Sequence, residues 1–303
     1  MTQRNGPLAP ALDSLGPRPW LVLGGGGLKG LGHVGAWHAL EEAAFRPAGI
    51  LGTSIGGLVG ACLAAGMGWE ELAPEALGLK KADILRVNRR ALWVNGIRSE
   101  SVFLGEPLRE TIRRILPVRR WDELPVPFQV NAVDLATGET VWFGPGARTD
   151  LPLEEAIYAS CALPVLYPPS RTQDAILVDG GTLDALPLDR AVEVGATGIV
   201  AVDVGAGATA DAAATLVGGL ATIHQRVFSI MSGTRRREQL GRWSGLPLLL
   251  IRPELDGYGT FDFQHTPYFL EEGYRATRGA LTRWGVSLPP EEVEPVAGKV
   301  EPG

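Results

Sequence analysis

Ser54 stands in Gly52-Thr53-Ser54-Ile55-Gly56, a G-x-S-x-G pattern, and Asp179 stands directly before Gly180 and Gly181. A serine on a sharp strand-to-helix turn is suited to acyl transfer. The turn exposes its hydroxyl at a helix N-terminus, where the dipole favours developing negative charge. Such a serine needs two further things, a proton acceptor and donors for the oxyanion. Gly24-Gly25-Gly26-Gly27-Leu28-Lys29-Gly30 offers the donors. Four consecutive glycines leave backbone N–H groups unshielded, and each oxyanion donor is typically worth roughly 2.7–4 kcal/mol in the transition state. Asp179 is a candidate acceptor because it falls at the end of a predicted strand, where α/β sites form. It reads equally as a turn aspartate before Gly-Gly. His33 and His38 fall on the first predicted helix and read as packing or surface residues. His224 and His265 are isolated, and they stay open as bases of a Ser–His–Asp alternative.

The elements around these residues follow from apolar spacing. Leu21 to Leu23 predicts a buried strand, and residues 31–45 a helix with Leu31, Val34, Trp37, His38 and Leu40 on one face. Ile50-Leu51 ends a second strand, and residues 55–66 predict a second helix. Two parallel strands joined by one right-handed crossover set the glycine loop and the serine turn side by side at one sheet edge. Only two strands precede Ser54, fewer than in an ordinary α/β-hydrolase. Helical pieces are predicted over 69–121 and a hairpin over 127–144, turning at Ala136-Thr137-Gly138. A short helix then runs into a proline-punctuated loop over 154–170, and a strand over 175–178 leads to Asp179. Further on come a helix over 188–196, a strand over 198–204, an Ala/Gly-rich loop over 205–219, a helix over 220–240, a strand over 246–251 and a last helix. Strands alternating with helices, without an internal repeat, predict one three-layer α/β/α domain. Its expected span is 18–285, with a helical cap at about 69–121 and flexible segments at 1–17 and 286–303.

Composition narrows the function classes. The 303 residues are 45% hydrophobic and carry a net charge of −6, which argues against nucleic acid as a partner. Cys62 and Cys161 sit in apolar runs without metal or redox spacing, as buried reduced thiols would. The N-terminal residues have no signal-peptide apolar core, and no run approaches the ~20 apolar residues that cross a bilayer. The expected location is cytoplasmic, with peripheral membrane contact open. Residues 80–120 carry eleven Lys/Arg against four acids, net +7 in an acidic chain. That stretch is either a solvated helix face over the core or a basic cap that meets anionic lipid. Gly25 to Gly30 also matches G-x-G-x-x-G, but Gly52-Thr53-Ser54 occupies the strand end where a dinucleotide fold needs its acid. Gly30 after Lys29 excludes a Walker A loop.

The constellation is more specific than its parts. GGGGLKG, then GTSIG beginning 22 residues after its final glycine, then DGG resembles the patatin-like phospholipase family. VNAVDLATGE (130–139), SCALPVLYPPS (160–170) and FDF…EEGY (261–274) are similar to its bacterial, neuropathy-target-esterase-like branch. The resemblance implies a modified α/β-hydrolase fold and a serine lipid acyl hydrolase using a Ser54–Asp179 dyad. It further implies an oxyanion hole of backbone N–H groups around Gly25, Gly26 and Gly27, within a motif completed by Leu28, Lys29 and Gly30. The substrate it implies is a lipid or other acyl ester, with no metal or organic cofactor. One departure is Asp184, where relatives often carry Asn. A second reading on the same fold is a catalytically silent membrane-binding or regulatory protein. The sequence leaves acyl chain, head group and oligomeric state open.

Overall fold

The computed structural model describes residues 10–89, 99–205 and 219–290. Nearly all of the Ala/Gly-rich stretch, and part of the basic 80–120 region, therefore lies outside the described residues. Strand β1 (Pro19–Leu23) pairs in parallel with β2 (Gly49–Gly52), and the connection runs through the 3-10 turn Gly27–Leu31 and helix Gly32–Glu42. β3 (Phe128–Asp134) lies beside β2, while β7 (Gly198–Val202) and β8 (Leu248–Ile251) follow on the far side of β1, all parallel. β4 (Thr140–Phe143), β5 (Ser170–Arg171) and β6 (Ile176–Asp179) add antiparallel pairings and make the sheet mixed and eight-stranded. The apolar run of β1 divides by period two. Leu21 and Leu23 join one core cluster, and Trp20 and Val22 join the other. A strand buried on both faces is what a sheet with helices on each side requires, so the molecule has the three layers expected.

β3 sets the geometry of the site. Val130 pairs with both Gly52 and Phe143, and Ala132 pairs with both Val141 and Asp179. A strand residue has one neighbour on each edge, so β4 takes one edge of β3 while β2 and β6 follow one another along the other. β2 runs parallel to β3 and β6 antiparallel, so their C-terminal ends converge head to head. Gly52 and Asp179 face β3 residues two positions apart, a separation of about 7 Å.

In the cap, helices Trp69–Gly78, Lys81–Ile84 and Glu106–Ile115 face helix Ile55–Ala64 across an apolar cavity. Leu108, Ile112 and Leu116 bury one face of the Glu106–Ile115 helix and its end. Arg109 donates to both Glu155 carboxylate oxygens at 2.8 Å and so ties this helix to helix Leu153–Cys161. The expected boundaries need correction at both ends. Pro10–Leu15 forms a 3-10 turn that buries Leu12 and Leu15, and Trp284 Nε1 donates to the Ala11 carbonyl at 3.2 Å. Val286 is buried as well, and the Pro289 carbonyl accepts from Arg278. Apolar side chains just outside 18–285 thus complete the core.

Candidate active site

Ser54 occupies φ +56, ψ −126 between β2 and helix Ile55–Ala64, a backbone conformation strained for a residue with a side chain. Neighbours hold it there. The Ser54 N–H donates to Ser160 Oγ at 2.8 Å, and its carbonyl accepts from Gly57 and Leu58 to start the helix. At Gly56 a Cβ would overlap the carbonyl oxygen of Leu23, so only glycine lets this helix approach the end of β1. Thr53 donates its N–H to the Leu23 carbonyl at 3.1 Å and its Oγ1 to the Asp184 carbonyl at 3.1 Å. Ser160 was not singled out from sequence. Its signal in the sequence is its place at the head of the SCALPVLYPPS segment, and the structure buries it fully.

Ser54 Oγ donates to Asp179 Oδ2 at 2.7 Å. The second carboxylate oxygen accepts the Gly181 N–H at 2.7 Å, inside the turn Gly180–Thr182, and the Asp179 N–H donates to the Ala162 carbonyl. Asp179 is 1% exposed. Burial pushes its carboxyl up to about 7, against the bonds from Ser54 and Gly181 that favour the ionised form. The departure at Asp184 leaves this arrangement intact, because its main chain does the supporting. The Asp184 carbonyl accepts from Thr53 Oγ1 and from Asn131 Nδ2, the latter at 2.9 Å. Its side chain is pushed up to about 6, first by burial and then by nearby Asp189.

The glycine loop departs from expectation at one position. Gly25 donates its N–H to the Ala185 carbonyl at 2.9 Å, as Gly24 does to Val202 and Leu28 to Thr260. Gly25 is therefore not a free donor. Among the described residues, the N–H groups of Gly26, Gly27 and Ile55 meet no acceptor. Gly27 adopts φ +62 and Gly30 packs against the Ile55 side chain, which presses the loop against the serine turn. His33 donates Nε2–H to the Gly24 carbonyl at 2.8 Å, and burial lowers it to about 4, so it is a neutral prop for the loop.

A cavity of about 50 Å³ lies over the dyad. Its floor is Ser54, Asp179 and the glycines, and its roof is one face of helix Gly219–Arg242, which supplies Gln225, Phe228, Ser229, Ser232 and Arg236. Two cations line it. Lys29 is 3% exposed and pushed down to about 8, chiefly by burial, with Asp256 opposing and Arg236 reinforcing. Arg236 pairs with buried Asp203 at 3.0 Å. A second cavity of about 60 Å³, almost wholly apolar, begins behind Leu28 and Ile55 under the cap. His224 and His265 line neither cavity. His265 sits 2.8 Å from Asp262, and His38 stacks between Trp69 and Tyr274. Cys62 and Cys161 are buried free thiols, and burial pushes Cys62 up to about 12.

With this geometry in view, the sequence profile described as patatin-like phospholipase matches residues 21–192, more than half of the chain. The chain belongs to the patatin-like phospholipase family. An uncharacterized NTE family protein of Mycobacterium tuberculosis is 36% identical over 189 residues, covering 62% of this chain and 49% of that protein. A lysophospholipase of Neosartorya fischeri is 28% identical over 308 residues, covering 90% of this chain and 19% of its own. Human patatin-like phospholipase domain-containing protein 6 is 26% identical over 300 residues, covering 87% and 20%. The chain thus spans about half the length of the mycobacterial relative and about a fifth of the other two. The crystal structure of VipD from Legionella pneumophila shares the fold, with a TM-score of 0.54 at 16% identity over 88% of this chain and 67% of that one. Among the described residues, no helix is long and apolar enough to cross a membrane.

Proposed function

We propose that this patatin-like protein hydrolyses carboxylic esters of lipids through a Ser54–Asp179 dyad and an acyl-enzyme. The observation that carries the reading is the 2.7 Å bond from Ser54 Oγ to a buried carboxylate, made from a strained turn at a helix N-terminus. Asp179 takes the Ser54 proton as Oγ bonds to the ester carbonyl carbon. The carbonyl electron pair moves onto oxygen, facing the open N–H groups of Gly26, Gly27 and Ile55. Collapse of that intermediate expels the alcohol, which leaves with the proton from Asp179. The same carboxylate then takes a proton from the water that attacks the acyl carbon, and returns it to Ser54 Oγ as the C–Oγ bond breaks and the acid leaves. An unperturbed aspartate is a weak base for this work. A carboxyl pushed up to about 7 is matched to it near neutral pH.

A lysophospholipid or related phospholipid is the substrate class that fits best. Lys29 and Arg236 make one wall of the cavity positive, as a phosphate head group would need, and the apolar cavity behind Ile55 suits an acyl chain. The fungal relative is itself named a lysophospholipase. The basic stretch 80–120 is the weaker candidate for contact with anionic membranes. Arg109, Arg113, Arg114 and Arg120 there pair with Glu155, Glu106, Glu75 and Asp122.

A fluorophosphonate probe tests the chemistry. Mass spectrometry is expected to place the adduct on the GTSIGG peptide, with labelling lost in Asp179→Asn. An adduct elsewhere, or none on folded protein, would sink the hydrolase reading.

A further inference from the structure

Helix Gly219–Arg242 is 24 residues long, yet among them only Gly233 and Arg236 are buried. At about 100° per residue, the side chains that roof the catalytic cavity (Gln225, Phe228, Ser229, Ser232 and Arg236) fall within roughly one-third of its circumference. Leu220, Val227, Ile230 and Met231 fall on the opposite side, at 79%, 48%, 48% and 60% exposure. They are four of the ten exposed large apolar residues among the described ones, gathered on a single helix face. Scattered exposed leucines need no explanation, whereas a grouped patch marks an interaction surface.

Charge identifies the occupant. Leaving aside Arg236, which faces the cavity, the helix carries Arg226, Arg235, Arg237 and Arg242 against the single acid Glu238, net +3 within a chain of −6. Helical spacing puts Arg226 and Arg237 on one flank of the apolar stripe, and Arg235 and Arg242 on the other. An apolar stripe between two rows of long cationic side chains is the pattern of a helix lying in the interface of an anionic bilayer. Two turns beyond Met231 the line of the stripe is taken by Glu238, which reaches Arg242 at 3.8 Å.

We propose that helix Gly219–Arg242 is the membrane-docking surface of this protein, lying flat on anionic phospholipid with Leu220, Val227, Ile230 and Met231 inserted. One helix diameter, about 10 Å, then separates the bilayer surface from the cavity over Ser54. The docking surface is therefore the outer side of the cavity roof, and the basic cap is not required for it.

Co-sedimentation of the full chain with phosphatidylcholine vesicles, with and without one-third phosphatidylglycerol, tests this. Binding is expected to favour the anionic vesicles and to fall with salt. Leu220→Asp/Val227→Asp/Met231→Asp is expected to lower the partition coefficient at least about tenfold. Leu77→Asp/Leu135→Asp, at exposed leucines elsewhere, is expected to leave it unchanged, and so is Arg113→Glu/Arg120→Glu in the cap. Circular dichroism and gel filtration establish that each variant is folded. Wild-type binding by a folded triple variant overturns the proposal, and so does loss of binding confined to the cap variant. It is overturned too if the lipid-free protein is a dimer that the triple variant splits, which would make the stripe a contact between copies. Because binding is read without turnover, a protein that docks but never labels at Ser54 refutes the hydrolase reading alone.

Discussion

Beneath the catalytic cavity, the main-chain N–H and carbonyl of Ser54 are both hydrogen-bonded, and the N–H and both carboxylate oxygens of Asp179 are too. Above it, the 24-residue roof helix buries only two of its residues and leaves a row of apolar side chains in water. The floor is a set of tight turns anchored at strand ends of the central sheet, and the roof is a single helix leaning on it. Proton transfer between Ser54 and Asp179 depends on a separation that tolerates little error. Admission of a substrate larger than a 50 Å³ cavity depends on a wall that can adjust. The two demands fall on different elements.

The contrast breaks first, if it breaks, at the dyad. Ser54→Ala and Asp179→Asn are each expected to reduce kcat by about a thousandfold or more on a p-nitrophenyl ester, and the double variant to be little worse than either. Additive losses would mean that the two residues do not act as one unit. The next effect is on pH dependence. The acid limb of kcat/KM is expected near pH 7, where Asp179 loses its proton. The same burial has a signed effect on stability. The folded-state carboxyl titrates above its unfolded value, so its contribution is whole below about pH 4 and is lost as pH rises to about 7. Asp179→Asn should therefore raise Tm at pH 8 and not at pH 4, a gain on the order of a few kcal/mol measurable by calorimetry. A destabilised variant at pH 8 would show that the ionised dyad is comfortable where it sits.

Ser160→Ala lies one step out from the chemistry. It leaves the Ser54 N–H buried without its acceptor, which is expected to cost about 1–3 kcal/mol in chemical denaturation. Restoration by Ser160→Thr would separate lost hydrogen bonding from lost packing. Hydrogen exchange sharpens the comparison without mutation. Amides of β1, β2 and β3 are expected to exchange only through global unfolding, and those of the roof helix well before them. The smallest effects belong to the histidines outside the cavity. His224→Ala and His265→Ala should each keep kcat within about tenfold, or roughly 1.4 kcal/mol. A thousandfold loss in either folded variant would restore a triad.

What the sequence made legible follows the same division. Ser54 and Asp179 could be picked out as candidates because glycines must flank a sharp turn, and glycine patterns are local. The fold could be read because β1, β2 and β7 are apolar runs separated by helical spacing. That the Gly25 N–H is already engaged could not be read, because its acceptor, the Ala185 carbonyl, lies 160 residues away and comes near only through the sheet. Ser160 opens the SCALPVLYPPS segment, but its partner, the Ser54 N–H, lies 106 residues away and is equally invisible in one dimension. The roof helix could be recognised as a helix, but not which side faces Ser54. Its polar cavity face, with Gln225, Ser229 and Ser232, resembles a solvent face when read in one dimension.

β3 contributes no group to the proposed dyad, yet it fixes the distance between Ser54 and Asp179. The proposed nucleophile and base stand at the ends of strands that arrive from opposite directions, and the gap between them is counted in residues of a third strand, from Val130 to Ala132. Asn131 is the single graduation on that ruler. One residue inserted there would draw the two catalytic strand ends apart by about 3.3 Å while leaving both local motifs letter-perfect. A relative could therefore keep G-x-S-x-G and D-G-G intact and still be inert. The spacing within β3 is the place to look before calling such a protein an enzyme.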